Sequence, residues 1–287
     1  MNQKQRPVEP GNLYALIDQA DRVVVCRSPM EIEVVLFESA DRADLEALKE
    51  SVQVHTPEES FHCMCLGEPL IYLYEGSDIL AEVTNHHGRS IRTSLWDSDA
   101  LLVSQDRWIG WFDERGVEEP GREVALAQER AQQGQSDTSR WLAAMPGSIR
   151  TLWDESHWRE TTFDIASFAK ALLEEIPDKH ARILALLSWF GSGAGPWSGY
   201  PSYERAAEKM LLAYPTNDIV EALQSESGSS AAVLEGAARL WGGWNFSRKN
   251  PQGLNEVPAD LKAVLWEHTR STTDEDKRGR ARHAFKG

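Results

Sequence analysis

The chain has 287 residues, 41% of them hydrophobic and 26% charged, enough to build one large or two ordinary domains and too apolar for wholesale disorder. Its formal charge is −15, and the surplus is uneven: residues 1–150 hold 26 acidic and 14 basic side chains, the remainder 19 and 16. Such acidity argues against nucleic acid and anionic membrane as partners and suits a basic protein surface.

No stretch reaches the ~18 apolar residues of a membrane span, and the first seven residues lack the apolar centre of a signal peptide. Three cysteines, Cys26, Cys63 and Cys65, form no disulfide framework. The expected location is therefore the cytoplasm.

Along the chain, strand signals come first. Arg22–Cys26 and Glu33–Phe37 are short β-branched runs separated by a Ser28-Pro29 turn. Asp41–Glu50 reads as an amphipathic helix with Asp41 as its N-cap and Leu45 and Leu48 on one face. Phe61–Leu66, Leu70–Tyr74 and Ile79–Thr84 are predicted as three strands of an antiparallel meander, and Arg107–Arg115 as a helix closed by Gly116. From Glu118 to Asp137 the sequence is polar, with room for a solvent-facing helix over Val124–Gln132.

Beyond that stretch the apolar spacing is helical over Ile165–Ile176, Lys179–Phe190, Tyr203–Tyr214, Asp218–Glu226, Ala231–Trp241 and Asp260–His268. Several of these runs begin just after a proline or capping residue. The basic run from Lys277 to Lys286 reads as a solvated helix end. The expected fold class is α+β: a strand-rich domain over 1–117, a polar linker or exposed helix over 118–137, and an all-α domain of HEAT-like helical hairpins over 138–287.

The densest chemistry lies in His62-Cys63-Met64-Cys65 and His86-His87-Gly88-Arg89-Ser90-Ile91-Arg92. Cysteine and histidine together suggest zinc, with His62, Cys63, Cys65, His86 and His87 as the donor candidates. Strand alternation instead puts Cys63 and Cys65 beside Phe61 as buried, inert thiols. In a simple meander His86 lies two strands from Cys65, ~10 Å away. On that geometry no metal and no cofactor is expected.

His86, His87, Arg89, Ser90 and Arg92 also form a candidate anion or carboxylate pocket. The opposing reading pairs the arginines internally with Asp97 and Asp99.

The segment Trp189–Pro201 contains three alternate glycines, but a helix precedes them where a phosphate loop needs a strand. It is either a connector or a binding loop, with Trp197, Tyr200 and Tyr203 as candidate partner-binding residues. Eleven tryptophans are compatible with core or with an interaction surface. Serine-nucleophile, zinc-protease, Walker and Rossmann signatures are absent from the sequence.

Phe61–Gly67, Asn85–Arg92 and Trp189–Trp197 are similar to segments of a family of uncharacterised bacterial proteins. The resemblance implies a bacterial source and brings no activity and no catalytic residue. The function expected from the residues is recognition of a protein partner with a basic surface, as in an immunity or antitoxin-type protein or a defence-associated adaptor. The alternative is an enzyme or ligand sensor centred on the cysteine–histidine–arginine segments. Nothing in the sequence names a reaction.

Overall fold

The computed structural model describes residues 6–57, 60–159, 162–225 and 230–286. The chain divides into two compact units, Met1–Gln132 and Gln133–Gly287, with the division inside the polar stretch. Among the described residues no helix is long and apolar enough to cross a membrane.

The first unit runs α1 (Pro10–Gln19), β1 (Arg22–Cys26), β2 (Val35–Ser39), α2 (Arg42–Ser51), β3 (Val54–His55), β4 (Leu70–Glu75), β5 (Asp78–His86), β6 (Ser90–Thr93), β7 (Ala100–Leu102) and α3 (Gln105–Asp113). Its seven strands form one sheet in the order β2-β1-β4-β5-β6-β7-β3, every neighbouring pair antiparallel. Strand alternation explains which side is covered. Val23 and Val25, Ile71 and Leu73, and Ala81 and Val83 sit two apart on their strands and share a face. Against them lie Leu13 and Ile17 of α1, Leu45 and Leu48 of α2, and Trp108, Trp111 and Phe112 of α3. Asp41 caps α2 by accepting from Ala43 N at 2.9 Å, and Gly116 follows α3 at φ +72°.

Two expectations need correction. Phe61–Leu66 is not a strand but an irregular loop, and the meander is built from β4, β5 and β6. The polar stretch is part of one long helix, α4 (Glu119–Ala144), which begins five residues before the expected Val124.

The second unit is helical: α5 (Gly147–Leu152), α6 (Ile165–Glu175), α7 (Lys179–Gly191), α8 (Arg205–Leu211), α9 (Thr216–Ser225), α10 (Ala231–Gly242), α11 (Trp244–Lys249), α12 (Ala259–Thr269) and α13 (Glu275–Phe285). The expected end of α9 at Glu226 lies outside the described residues. α5 packs on α6 and α12 on α13 as sequential neighbours, while the centre of the unit is α7 against α10. That crossing is close because it is built on glycine. A Cβ on Gly191 would fall 2.0 Å from Ala232 O, and one on Gly236 would fall 1.9 Å from Leu187 O.

Around the crossing lie Trp141, Phe168, Trp189, Phe190, Trp241 and Phe246, all buried. The glycine-rich segment after α7 wraps a buried ion pair between Arg239 and Glu204. Arg239 also donates to Phe190 O and Gly195 O, each at 3.0 Å. Glu204 accepts from the amides of Ala194 at 3.0 Å and Gly195 at 3.3 Å.

Glu235 of α10 accepts from His268 of α12 at 3.0 Å and from Lys277 of α13, tying three helices together. Burial alone would raise this carboxyl, but the two donors outweigh it and hold it below the ordinary glutamate value. A depressed folded-state value stabilises the fold fully above the unfolded value of about 4.3, and the contribution is lost as pH falls through the folded one. Glu235→Gln is expected to cost about 1–3 kcal/mol at neutral pH and to flatten the loss of stability below about pH 4. Urea titrations across pH 3–7 measure both effects; superimposable acid limbs for the two proteins would remove this tie from the account.

Candidate metal centre

The cysteine loop is fixed from beneath by one carboxylate. Asp99, fully buried, accepts from Cys63 N at 2.8 Å and from Arg92 Nε at 2.7 Å and Nη2 at 3.0 Å. Arg92 then donates through Nη2 to Cys63 O at 2.6 Å and through Nη1 to Cys65 O at 3.4 Å. His62 closes the arrangement, its Nδ1 lying 3.3 Å from Asp99 Oδ1 and its Nε2 2.8 Å from Asp97 O. Burial would raise the Asp99 carboxyl, and the Arg92 guanidinium and the Cys63 amide together hold it below the usual carboxylate range. In a loop outside the sheet, the amide and carbonyl of Cys63 and the carbonyl of Cys65 are thus satisfied by side chains.

The other half of the site is the β5–β6 turn. Arg89 N donates to His86 O at 3.0 Å, and the two central residues, His87 at φ 58° and Gly88 at φ 65°, both lie in the left-handed region. That is the tight hairpin turn whose twist matches its strands, and histidine occupies it at some cost. Asn85 steadies the turn: its Oδ1 accepts from Trp108 Nε1 at 2.8 Å and from Gly88 N at 3.1 Å, and its amide reaches Glu68 O. Gly67, at φ 83°, lies against the histidine ring, where a Cβ would fall 2.7 Å from His86 Nε2.

Loop and turn bring four donors together. Cys63 Sγ and Cys65 Sγ are 3.1 Å apart, Cys65 Sγ is 3.0 Å from His86 Nδ1, and Cys63 Sγ is 3.3 Å from His87 Nε2. Cys63, Cys65 and His86 each place a donor atom within 4.8 Å of the other two.

The far nitrogen of each ring is already engaged. His86 Nε2 lies 3.1 Å from Thr84 Oγ1, which orients the ring so that Nδ1 faces Cys65. His87 Nδ1 lies 2.6 Å from Glu123 Oε1; a carboxylate only accepts, so His87 Nε2 is left facing Cys63. Orientation of a ligating imidazole through its second nitrogen is a habitual feature of metal sites.

The electrostatics are graded. Hydrogen bonds from the Cys65 backbone and side chain, with His87 behind them, pull the Cys63 thiol down. Burial pushes the Cys65 thiol up, and burial with Arg92 beside it pushes His86 down. The Glu123 carboxylate raises His87. The neutral form of His86 is thus favoured, and Cys63 is the readier of the two thiols to ionise, both shifts running toward the forms that bind a metal.

The ~10 Å separation expected between Cys65 and His86 is thus overturned: because Cys65 lies on a loop folded across the sheet end, the two side chains touch. Of the five candidate pocket residues, His86 faces the thiols, Ser90 is buried in β6, and Arg92 pairs with Asp99 as the opposing reading held. Asp97 pairs with Arg6 and not with Arg89. Only His87 and Arg89 line a cleft together.

Trp197 is 3% exposed, and Tyr200 and Tyr203 are half-buried against the same core, so the loop aromatics are packing residues and not free anchors. Tyr200 lies under the Arg239 guanidinium at 4.6 Å, and burial pushes its phenol well up.

Thr84 and Glu123 were missed by sequence reasoning, and Asp99 was foreseen only as a partner for the arginines and not as the anchor of the cysteine loop. The available signal was composition: Phe61–Leu66 contains no Val, Ile or Thr and is followed by Gly67 and Pro69, which argues against a strand. No family model, no curated protein and no solved structure matches the chain.

Asp99→Asn leaves the Arg92 charge without its partner in a mostly buried setting and is expected to cost about 2–4 kcal/mol. The same change should speed hydrogen exchange at the Cys63 amide, read by mass spectrometry of the 60–69 segment. An unchanged denaturation midpoint with unchanged exchange would show that the loop is held by something else.

Proposed function

We propose that this is a zinc-binding protein whose ion is held by Cys63, Cys65 and His86, with His87 at the edge of the site. The observation that carries the reading is the convergence of the three donor atoms within 4.8 Å. Two thiolates and an imidazole make a borderline-soft set that suits zinc better than calcium or magnesium, which prefer oxygen. A tetrahedral zinc with bonds of about 2.3 Å to sulfur separates its sulfurs by roughly 3.8 Å, within a small side-chain adjustment of their present spacing. The ion would cross-link the cysteine loop to the end of β5, and three protein ligands would leave one position for a further donor.

Protein purified without chelators is expected to carry about one zinc per chain. Cys65→Ser and His86→Ala are expected to abolish binding, and His87→Ala to weaken it by about 10–100-fold while keeping the ion. Cys26→Ser, at the buried thiol of β1, serves as the control that leaves zinc in place. Elemental analysis of the four variants reads this directly; absence of zinc from the wild-type chain after reduction and zinc addition would end the proposal.

A second reading, recognition of a basic protein partner of the immunity or adaptor type, is supported by the acidic surplus of the first 150 residues. It also draws on the apolar side chains of the cysteine loop, where Met64 is 97% and Leu66 62% exposed. Binding to a purified basic partner from the native host should then slow as salt rises, because exposed charges are screened beyond a Debye length of about 8 Å. Leu66→Ala should speed dissociation. A salt-independent association rate would remove the electrostatic part of this reading.

A further inference from the structure

Beside the cysteine–histidine cluster lies a cleft of about 650 Å³, a volume suited to a small molecule. His87 and Glu123, the outer pair of the proposed zinc site, form part of its wall. Arg89 and Arg130 face the same space. Neither guanidinium has an ion pair among the described residues, whereas Arg122 beside them is engaged by Glu118 at 3.2 Å. Two uncommitted arginines on one cleft are notable in a chain of net charge −15. Leu126, 45% exposed, supplies an apolar surface in the same wall.

The geometry points to a binding site for a small molecule with an oxyanion head, carboxylate or phosphate, and an apolar body. Its head is held by Arg89 and Arg130, and one head oxygen takes the coordination position that Cys63, Cys65 and His86 leave on the metal. This inference rests on the zinc reading. Guanidinium forks match both oxyanions and give them two parallel hydrogen bonds.

His87 is the group that yields. Its ring is half-exposed, and it lies within 3.3 Å of Cys63 Sγ but outside the mutually close trio. It also sits on a left-handed turn residue, and its Nδ1 keeps the Glu123 hydrogen bond when Nε2 moves off. The ligand therefore enters from the arginine side and displaces His87 without disturbing Cys63, Cys65 and His86.

Cobalt substitution of the full chain tests this. Cobalt bound by two thiolates gives a thiolate-to-metal charge-transfer band in the near ultraviolet and ligand-sensitive bands in the visible. Acetate and inorganic phosphate, titrated in separate arms, represent the two oxyanion classes. The expected result is a saturable change in the visible bands with at least one of them. In Arg89→Ala/Arg130→Ala the anion-free spectrum should be unchanged and the apparent Kd raised by at least about tenfold.

A charge-transfer band whose visible partners do not move with either anion overturns the inference and leaves the zinc reading standing. An equal response in the double variant also overturns it, because the anion then binds the metal without the cleft. A chain that gives no charge-transfer band at all removes the zinc reading and the cleft ligand with it.

Discussion

A carboxylate with no exposed surface holds the site together. Asp99 is ionised inside the first unit, and the structure around it is what makes that tolerable: a two-pronged Arg92, the Cys63 amide and the His62 ring. A buried charge with one partner removed costs several kcal/mol, so these groups must form together or not at all. Arg92 spends its remaining donors on the carbonyls of Cys63 and Cys65. The cysteine loop has no strand or helix of its own, yet its backbone is fixed at both sulfur-bearing residues. Pre-positioned sulfurs are what a small ligand cluster needs, since the cost of ordering them is met by the fold and not by the metal.

The second unit uses the same device for a different end. Arg239 and Glu204 are both 1% exposed, and their spare hydrogen-bonding capacity goes to the backbone of the glycine-rich segment after α7. The guanidinium is flanked by Phe190 and Tyr200 at 4.7 and 4.6 Å. Gly193, Gly195 and Tyr200 lie against the ion pair, Gly191 serves the α7–α10 crossing, and Trp197 and Tyr203 pack into the core. Function is therefore sought where polar groups are left over, and in the first unit His86 Nδ1 and His87 Nε2 both face sulfur.

Much of the fold was legible because it rests on periodicity. The β-branched run Arg22–Cys26 is β1 as expected, and the apolar spacing of Lys179–Phe190 and Ala231–Trp241 gives α7 and α10 to within a residue. The α+β organisation follows from those signals. Short strands escaped because two to four residues carry no period, as with Val54–His55 and Ala100–Leu102. α1 escaped because Pro10 opens it without a side-chain cap.

The site was legible as residue types and not as geometry. His62, Cys63, Cys65, His86 and His87 all stood out in the sequence, but forcing Phe61–Leu66 into a strand moved the thiols away from the histidines. Nothing local in the sequence announces Glu123 as a partner of His87, since that contact joins residues 36 positions apart across a helix start. The polar stretch that looked like a linker supplies the carboxylate that aims the ring.

Two thiols and an imidazole lie within 4.8 Å of one another, and the zinc proposal stands or falls on whether an ion is bound between them. Zinc K-edge X-ray absorption on the full-length chain purified with its metal reports the ligand atoms themselves. The account predicts two sulfur neighbours at about 2.3 Å with one or two imidazole nitrogens at about 2.0 Å. A first shell of oxygen and nitrogen alone, with no sulfur, would contradict it.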